Sequence, residues 1–259
     1  MKIGVIGAGA FGTALGDILK NNGHEIIYYD PIITDRFIND LLWDVEMVLL
    51  VAPSFAVPSI VPELQTNVPL IVATKGLLSD QIFADFEDVM AISGPGFAHD
   101  IKARKDTRLT ITDDRLAKLF QADYLHFDKS KDVKGVLMCG ALKNVYAIRA
   151  GFLKLKEGTP EWDKYIADVT KEMEAILFAN GAMRDTVNHF CGIDDLKLTC
   201  NLPSRNYEYG LKLADNPEYK PEKTVEGLSA LKRIVDGEII IPDEAIILKD
   251  IINMNMSGE

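Results

Sequence analysis

Cysteine is scarce in this sequence. The 259 residues contain only Cys139, Cys191 and Cys200, and no two of them are spaced as a Cys-x-x-Cys pair. An odd number of scattered cysteines does not suit a disulfide framework, so we expect free thiols in a reducing compartment. No metal site is predicted.

Long apolar runs and leader segments are also missing. The longest unbroken apolar stretch, Met47 to Ala52, is far too short to span a bilayer. Lys2 leads directly into the first predicted strand, so the N-terminus does not resemble a signal peptide. We therefore expect a cytoplasmic protein without membrane insertion.

Positive charge is in deficit. The 28 Lys and Arg residues are outnumbered by 39 Asp and Glu residues, which gives a formal net charge of −11 at pH 7. Nucleic-acid binding needs a basic surface, and because no basic stripe is present we expect no nucleic-acid partner. The short run Lys102-Ala103-Arg104-Lys105 is interpreted as a solvated loop or helix face.

Glycine, by contrast, is concentrated near the N-terminus. The segment Met1–Gly16 has a buried-strand pattern that turns through Gly7, Gly9 and Gly12 into a helix. In this Gly-x-Gly-x-x-Gly order the first glycine makes a tight turn, the second lets the backbone approach a pyrophosphate, and the third allows close packing of helix and strand. The helix N-terminus offers N–H groups to the anion. A purely structural glycine turn is the alternative.

A second predicted strand, Glu25–Asp30, supports dinucleotide binding because it ends in an acid. Asp30 lies roughly 20 residues after Gly7, where a carboxylate would meet the ribose 2′-OH of the cofactor. The same carboxylate would repel a 2′-phosphate. We therefore predict NAD as the cofactor.

The first half of the chain alternates apolar runs with polar segments, which is typical of an α/β fold. A helix is predicted over Gly12–Asn22 with Gly23 as its C-cap, and one short crossover helix fits between Pro31 and Glu46. The pattern predicts a mostly parallel, doubly wound sheet in a dinucleotide-binding domain over residues 1–128. The predicted strands are Lys2–Gly7, Glu25–Asp30, Met47–Ala52, Leu70–Thr74, Val89–Ser93, Arg108–Thr112 and Tyr124–Phe127.

Helical periodicity replaces this pattern from about Asp128 onward. Residues 129–259 are therefore predicted to form an all-helical substrate and catalytic domain, with one strand-like run at Glu238–Ile241. The predicted helices are Val133–Gly151, Trp162–Asn180, Arg205–Ala214, Thr224–Val235 and Pro242–Met254. The second of these carries an apolar stripe of Ile166, Val169, Met173, Ile176 and Leu177.

Two strand ends in the first half carry residues suited to a ligand. Lys75 follows the fourth predicted strand, in the region where doubly wound sheets bind ligands, although a solvated loop lysine is the alternative. In the segment Ser93–Asp100, Gly94 and Gly96 would leave backbone N–H groups exposed. An ordinary turn explains that segment equally well.

The segment Cys139–Gly151 is the most informative of the second half. Small and apolar residues surround Lys143, and a charged amine in a buried helix is costly without a partner. We predict that Lys143 exchanges protons with a substrate and pairs with a carboxylate, which the segment Cys191–Cys200 could supply. A lysine that extends its head group to the surface is the alternative.

Two further segments carry polar groups. Ser204-Arg205-Asn206 includes an arginine suited to bidentate phosphate contact, although a helix cap followed by a surface arginine is the alternative. Val225-Glu226-Gly227 is a weak signal, because a glutamate in the first turn of a helix explains it equally well.

Taken in this order, the segments resemble the NAD(P)-dependent glycerol-3-phosphate dehydrogenase family. The resemblance spans nearly the whole chain and implies a Rossmann-like domain followed by a helical domain. It also implies reversible reduction of dihydroxyacetone phosphate to sn-glycerol 3-phosphate, which feeds phospholipid synthesis. The expected partner is a small phosphorylated substrate, with a homodimer as one option for assembly. The matching motifs are Phe-Gly-Thr-Ala-Leu, Thr-Lys-Gly, Ser-Gly-Pro-x-Phe-Ala, Gly-Ala-Leu-Lys-Asn, Asp-Leu-x-x-Thr-Cys with Ser-Arg-Asn, and Val-Glu-Gly.

The resemblance implies roles for individual residues, with Lys143 as the catalytic lysine and Asp195 as its partner. Substrate contacts are implied for Lys75, Gly94, Gly96, Lys143, Asp195, Thr199, Ser204, Arg205 and Asn206. Cofactor contacts are implied for Gly7, Gly9, Ala10, Phe11, Gly12, Asp30, Lys75, Ala98, Arg205 and Glu226.

The sequence departs from the family pattern in three places. Family members commonly carry Ser or Thr where this chain has Gly96, so only a backbone contact can remain there. The segment after Asp30 is shorter than usual, and the link between Thr-Cys and Ser-Arg-Asn is one residue short.

Two other functions share part of this pattern. A different β-hydroxyacid or ketone reductase with the same two-domain plan would explain the glycine turn and Lys143, but not Ser204-Arg205-Asn206. A sensor that binds NAD(H) without turnover would leave the lysine, aspartate and arginine together unexplained.

Overall fold

The computed structural model describes residues 1–33, 38, 44–77 and 79–256. The chain divides into two compact units. The first unit comprises Met1–Lys75 and Asp80–Val133, and the second comprises Gly76–Ser79 and Lys134–Glu259.

The first unit is built on a sheet that, over the described residues, has seven strands. The strands are β1 Lys2–Ile6, β2 Glu25–Tyr29, β3 Met47–Leu50, β4 Leu70–Val72, β5 Val89–Ser93, β6 Thr107–Ile111 and β7 Leu125–Lys129. Their order is β2-β1-β3-β4-β5-β6-β7, with β1 to β5 parallel, β6 antiparallel to β5, and β7 parallel to β6. The predicted Rossmann-like α/β sheet is confirmed.

The central strands are continuous apolar runs because both of their faces are covered. Ile3, Leu49 and Ile71, on three neighbouring strands, are fully buried. The strand order reverses beside β1, since β2 follows on one side of it and β3 on the other. Ligands of open parallel sheets bind outside the carboxyl ends of the strands at such a reversal, which is where the glycine turn lies.

Helices of the first unit are α1 Ala10–Asn21, α2 Val57–Ile60, α3 Ala98–Lys102 and α4 Asp114–Leu119. α1 ends as predicted. Gly23 has a φ of +84°, and its N–H binds the Lys20 carbonyl while the His24 N–H binds the Leu19 carbonyl. The crossover helix predicted between Pro31 and Glu46 lies largely outside the described residues.

The second unit is helical. Its helices are α5 Val133–Phe152, α6 Pro160–Ala179, α7 Asp195–Thr199, α8 Arg205–Asp215, α9 Glu226–Val235 and α10 Ile246–Met256. A 3₁₀ turn covers Arg184–Asn188, and a π-helical turn, Phe190–Asp194, leads directly into α7. The predicted apolar stripe of α6 is confirmed, because all five of its residues are buried.

α5 is the centre of this unit, since it is buried on nearly all sides. Two glycines let α8 approach α5 closely. A Cβ on Gly151 would lie 2.0 Å from the Tyr207 carbonyl oxygen, and a Cβ on Gly210 would lie 2.0 Å from the Ile148 carbonyl oxygen. Backbone-to-backbone packing therefore places the start of α8 beside α5.

The strand-like interpretation of Glu238–Ile241 is wrong, because no strand forms there. A strand needs a neighbour, and the described residues of this unit contain none. The side-chain amide of Asn180 supplies the missing bonds: it accepts from the Ile240 N–H at 2.8 Å and donates to the Ile240 carbonyl at 2.9 Å.

In the described part of the chain, no helix combines the length and apolar character needed to cross a bilayer. All three cysteines are buried, and none is in a disulfide.

Candidate active site

Two glycines of the N-terminal turn are required by the fold itself. Gly7 has a φ of +106°, and a Cβ there would lie 2.8 Å from the Val51 carbonyl oxygen. A Cβ on Gly12 would lie 2.0 Å from the Gly7 carbonyl oxygen. The turn and the packing of α1 on β1 therefore both depend on the absence of a side chain, as predicted from the motif.

Gly9 differs from these two glycines. Its φ of −68° and ψ of −176° suit any residue, and a Cβ there would have no atom of the described protein within 4 Å. The space in front of Gly9 fits a ligand that needs close backbone approach, such as a pyrophosphate. Ala10 and Phe11 open α1 immediately afterwards, so their N–H groups are among the unbonded donors of its first turn.

Asp30 is hydrogen-bonded to the glycine turn. Its Oδ2 accepts from the Ala8 N–H at 2.9 Å, and its Oδ1 accepts from the Ile32 N–H at 3.0 Å. A carboxylate accepts about four hydrogen bonds, so Asp30 can accept these bonds from the backbone and still bind a ribose diol.

Lys75 lies just beyond β4 and is half-buried, which does not suit a freely solvated lysine. Its ammonium is 3.5 Å from the Gly96 carbonyl oxygen and 5.1 Å from the centroid of the Phe11 ring. Three sequence-predicted residues, from the ends of β4 and β5 and the start of α1, are therefore brought together in the first unit.

The turn after β5 also depends on glycine. Gly94 has a φ of +152°, and a Cβ there would lie 2.8 Å from the Arg108 carbonyl oxygen. A Cβ on Gly96 would lie 3.0 Å from the Thr107 Cγ2, so a hydroxyl side chain would crowd that methyl group. This crowding is a physical reason for the departure from the family pattern at Gly96. Ala98 begins α3 directly after the turn.

In the second unit, Lys143 and Asp195 form a buried ion pair. The Lys143 Nζ contacts the Asp195 Oδ2, and each side chain is only 2% exposed. The alternative of a lysine reaching the surface is therefore excluded. Two buried charges hold each other in place, because removing either one would leave the other uncompensated. The π-helical turn that precedes α7 places Asp195 at this position. Such turns are often found at functional sites.

Thr199 and Cys200 lie beside this pair. The Thr199 hydroxyl donates to the Asp195 carbonyl oxygen at 2.6 Å and is 3.4 Å from the Asp195 Oδ1. Burial raises the pKa of the Cys200 thiol, and the positive charge of Lys143 opposes that shift only in part. Cys200 therefore stays a neutral thiol near neutral pH.

Ser204 and Arg205 open α8. The Ser204 hydroxyl accepts from the Tyr207 N–H at 3.5 Å and so acts as the N-cap. Arg205 is exposed, and within the described residues it makes no ion pair. It lines a cavity of about 210 Å³ together with Glu208, Tyr209, Lys212, Tyr219, Pro221, Glu222, Lys223 and Val225.

Asn206 is buried and joins three helices. Its Nδ2 donates to the Asn144 Oδ1 at 2.8 Å, and its Oδ1 accepts from the Gly227 N–H at 2.9 Å. Glu226 is the first residue of α9, directly before Gly227. No sequence pattern predicts a separate role for Asn144. The available signal was an amide within an otherwise apolar helix.

The sequence-predicted residues thus fall into two groups. The glycine turn, Asp30, Lys75 and the Gly94–Ala98 turn belong to the first unit, while Lys143, Asp195 and the α8 and α9 residues belong to the second. A Rossmann-like sheet with an open glycine turn and a helical unit with a buried lysine–aspartate pair define a class, the nicotinamide-dependent dehydrogenases.

Comparison with known proteins identifies the family. The family model for the N-terminus of NAD-dependent glycerol-3-phosphate dehydrogenase matches residues 2–31, and the model for its C-terminus matches residues 132–250. A glycerol-3-phosphate dehydrogenase [NAD(P)+] of Syntrophotalea carbinolica is 32% identical, over 92% of this chain and 85% of the relative. One from Neorickettsia sennetsu is 27% identical, over 89% of this chain and 82% of the relative. The chain belongs to the NAD(P)-dependent glycerol-3-phosphate dehydrogenase family.

Solved structures agree with the fold. The glycerol-3-phosphate dehydrogenase of Coxiella burnetii superposes with a TM-score of 0.81 at 23% identity, over 98% of this chain and 95% of that one. The Plasmodium falciparum glycerol-3-phosphate dehydrogenase gives a TM-score of 0.83 at 17% identity, over 100% of this chain and 92% of that one.

Proposed function

We propose that this protein reversibly reduces dihydroxyacetone phosphate to sn-glycerol 3-phosphate with a nicotinamide cofactor, and thereby supplies glycerophospholipid synthesis. The dinucleotide-binding domain would be residues 1–128 and the substrate and catalytic domain residues 129–259. The observation that carries this proposal is the buried Lys143–Asp195 pair. A lysine that is fully desolvated and held by one carboxylate is poorly explained by stability alone.

The role of Lys143 follows from the needs of the reaction. When bound, the reduced nicotinamide ring supplies a hydride to the C2 carbonyl carbon of the ketone, and negative charge develops on the carbonyl oxygen. The Lys143 ammonium stabilises that charge and donates the proton that completes the alcohol. Asp195 holds the ammonium in place, and Thr199 supports Asp195 through the hydrogen bond to its carbonyl.

The phosphate end of the substrate would be held by Arg205 and Asn206, with Lys75 as a further cation and Ser204 at the same helix start. Arg205 offers a planar fork of donors for bidentate phosphate contact. Binding energy from the phosphate, which does not react, would orient the carbonyl.

The cofactor would be held mainly by the glycine turn and the first turn of α1. The open space in front of Gly9 fits its pyrophosphate. Asp30 would accept from the adenosine ribose, while Gly94, Gly96 and Ala98 would provide backbone contacts beside the nicotinamide. Lys75, Arg205 and Glu226 complete the proposed cofactor contacts.

Cofactor preference gives a first prediction. Asp30 would repel a 2′-phosphate, and Pro31 and Ile32, which follow it, offer no cation to receive one. We expect kcat/KM with NADH to exceed that with NADPH by at least about tenfold, since a like-charge contact costs on the order of 1 kcal/mol or more. Equal kcat/KM values for the two cofactors would contradict this prediction.

The proposed activity is tested by following NADH absorbance when dihydroxyacetone phosphate is added, with unphosphorylated dihydroxyacetone as the control. We expect rapid oxidation of NADH with the phosphorylated ketone and little with the control. Tight NADH binding without oxidation by any phosphorylated ketone would instead support a sensor.

A further inference from the structure

We propose that Asn144 is a positioning residue that fixes the orientation of the Asn206 amide toward the substrate phosphate. Asn144 would act through Asn206 without touching the substrate itself. This inference rests on the proposed function, because it assumes that Asn206 binds the phosphate of the ketone.

The hydrogen bonds around Asn144 form a chain with a fixed direction. The Asn144 Nδ2 donates to the Gly140 carbonyl at 3.0 Å, the Asn206 Nδ2 donates to the Asn144 Oδ1 at 2.8 Å, and the Gly227 N–H donates to the Asn206 Oδ1 at 2.9 Å. The two ends are backbone groups whose roles cannot change, since a carbonyl only accepts and an N–H only donates. Rotating one of the two amides by 180° would place acceptor against acceptor or donor against donor. Rotating both amides would create such mismatches at the Gly140 carbonyl and at the Gly227 N–H.

Burial makes this direction costly to reverse. Asn144 is 4% exposed and Asn206 is 8% exposed, so water cannot easily replace a lost partner. Leaving such a buried polar group without a hydrogen-bond partner is destabilising. The first turn of α9 also packs tightly against α5 at this point, since a Cβ on Gly227 would lie only 2.5 Å from the Asn144 carbonyl oxygen.

The fixed direction decides what Asn206 can offer to a ligand. With its oxygen bonded to Gly227 and one N–H bonded to Asn144, the amide has a second N–H on the same nitrogen. An N–H donor suits a phosphate oxygen. Without Asn144, the amide would keep its bond to Gly227 but lose the acceptor that fixes its nitrogen, so its remaining donor would be aimed less firmly at the phosphate.

The test is a double-mutant cycle on kcat and KM with dihydroxyacetone phosphate. Asn144→Ala should raise KM for the phosphorylated ketone by about tenfold, the effect of losing roughly one hydrogen bond to a charged group. It should leave kcat/KM for unphosphorylated dihydroxyacetone nearly unchanged. In an Asn206→Ala background, the Asn144→Ala change should have little further effect, because Asn144 acts only through Asn206.

Asn180→Ala is the matched control. Asn180 also bridges backbone groups in the helical unit, but it lies at the end of α6 and binds Ile240. Its replacement should lower Tm without any selective change in KM for the phosphorylated ketone. If Asn144→Ala does not fold, Asn144→Ser takes its place with the same expected result, because the serine hydroxyl is too short to bridge both partners.

Two results would overturn the inference while leaving the proposed function intact. One is an additive effect of the two substitutions on kcat/KM, and the other is an equal loss for both ketones. Failure of the wild-type protein to oxidise NADH with dihydroxyacetone phosphate would instead overturn the proposed function, and the inference with it.

Discussion

At the scale of single residues, different glycines of the N-terminal turn are expected to serve folding and cofactor binding. Gly12 has no room for a Cβ, whereas Gly9 has open space in front of it. We expect Gly9→Val to change the free energy of unfolding by no more than about 1 kcal/mol, because the backbone there is unstrained. The added side chain should weaken NADH binding by roughly 1–3 kcal/mol, since it would stand where the pyrophosphate approaches.

Gly12→Val is the matched variant for that prediction. Its Cβ would overlap the Gly7 carbonyl oxygen, so the protein should lose about 3 kcal/mol of stability or more. Urea unfolding and titration of NADH fluorescence on the same samples check both variants. Unchanged NADH affinity in Gly9→Val would show that the phosphates do not pass over Gly9.

Arg205 is the residue expected to recognise the phosphate. Arg205→Ala should weaken use of dihydroxyacetone phosphate by roughly 2–5 kcal/mol in kcat/KM, because a charge-assisted bidentate contact is lost. Arg205→Lys should restore only part of the loss, since an ammonium lacks the planar fork. NADH binding should fall much less. A near-normal KM in Arg205→Ala would place the phosphate elsewhere, for example on Lys75 alone.

At the scale of elements, one buried carboxylate joins three helices of the second unit. Glu172 on α6 accepts from the Ile247 and Leu248 N–H groups at the start of α10, at 2.6 and 3.1 Å. It also accepts from the Tyr146 hydroxyl on α5 at 3.0 Å. Burial raises the pKa of Glu172, and these hydrogen bonds offset the rise only in part.

This raised pKa gives stability a pH dependence of known sign. Between the ordinary value of 4.5 and the raised value in the fold, the folded protein holds a proton that the unfolded chain has released. The contribution of Glu172 to the free energy of unfolding therefore falls as pH rises through that window. Glu172→Gln removes the titrating group. We expect wild type to lose stability relative to Glu172→Gln as the pH rises above 4.5, measured by urea unfolding at several pH values. A difference that stays constant or grows with pH would contradict this account.

Sequence patterns predict well the elements that depend on local signals, such as periodic burial or a capping glycine. The α6 stripe and the Gly23 cap of α1 are local features, and both are confirmed. The run Glu238–Ile241 looks like a strand because it is apolar, but a strand exists only with a partner, and here Asn180 takes that place. The π-helical turn before Asp195 has no local sequence signal of this kind.

At the scale of the whole molecule, sequence patterns indicate chemically unusual residues more readily than the contacts between them. An amine within the apolar segment around Lys143 was sufficient to predict a buried partner. The pairing with Asp195 joins residues distant in sequence, and the residues alone indicate only a carboxylate somewhere in the segment Cys191–Cys200. The contacts of Asn144 are unpredictable for the same reason, since Asn206 and Gly227 come to it from two other helices.

The central claim is that Lys143 donates the proton, and its test must separate catalysis from stability. Lys143→Ala leaves Asp195 as an unpaired buried charge, which should cost about 3–5 kcal/mol of stability. The double variant Lys143→Ala/Asp195→Ala removes both charges, so its Tm should recover in part. Neither variant touches the glycine turn, so both should keep nearly normal NADH affinity.

The decisive measurement is turnover of dihydroxyacetone phosphate per folded molecule, with Tm recorded on the same sample. General acid catalysis contributes about 10²–10⁴-fold, and electrostatic stabilisation of the alkoxide adds to this. We predict that kcat falls by at least about a thousandfold in Lys143→Ala and is not restored in the double variant, even where Tm recovers. A folded Lys143→Ala protein with undiminished turnover would contradict the assignment of Lys143 as the proton donor.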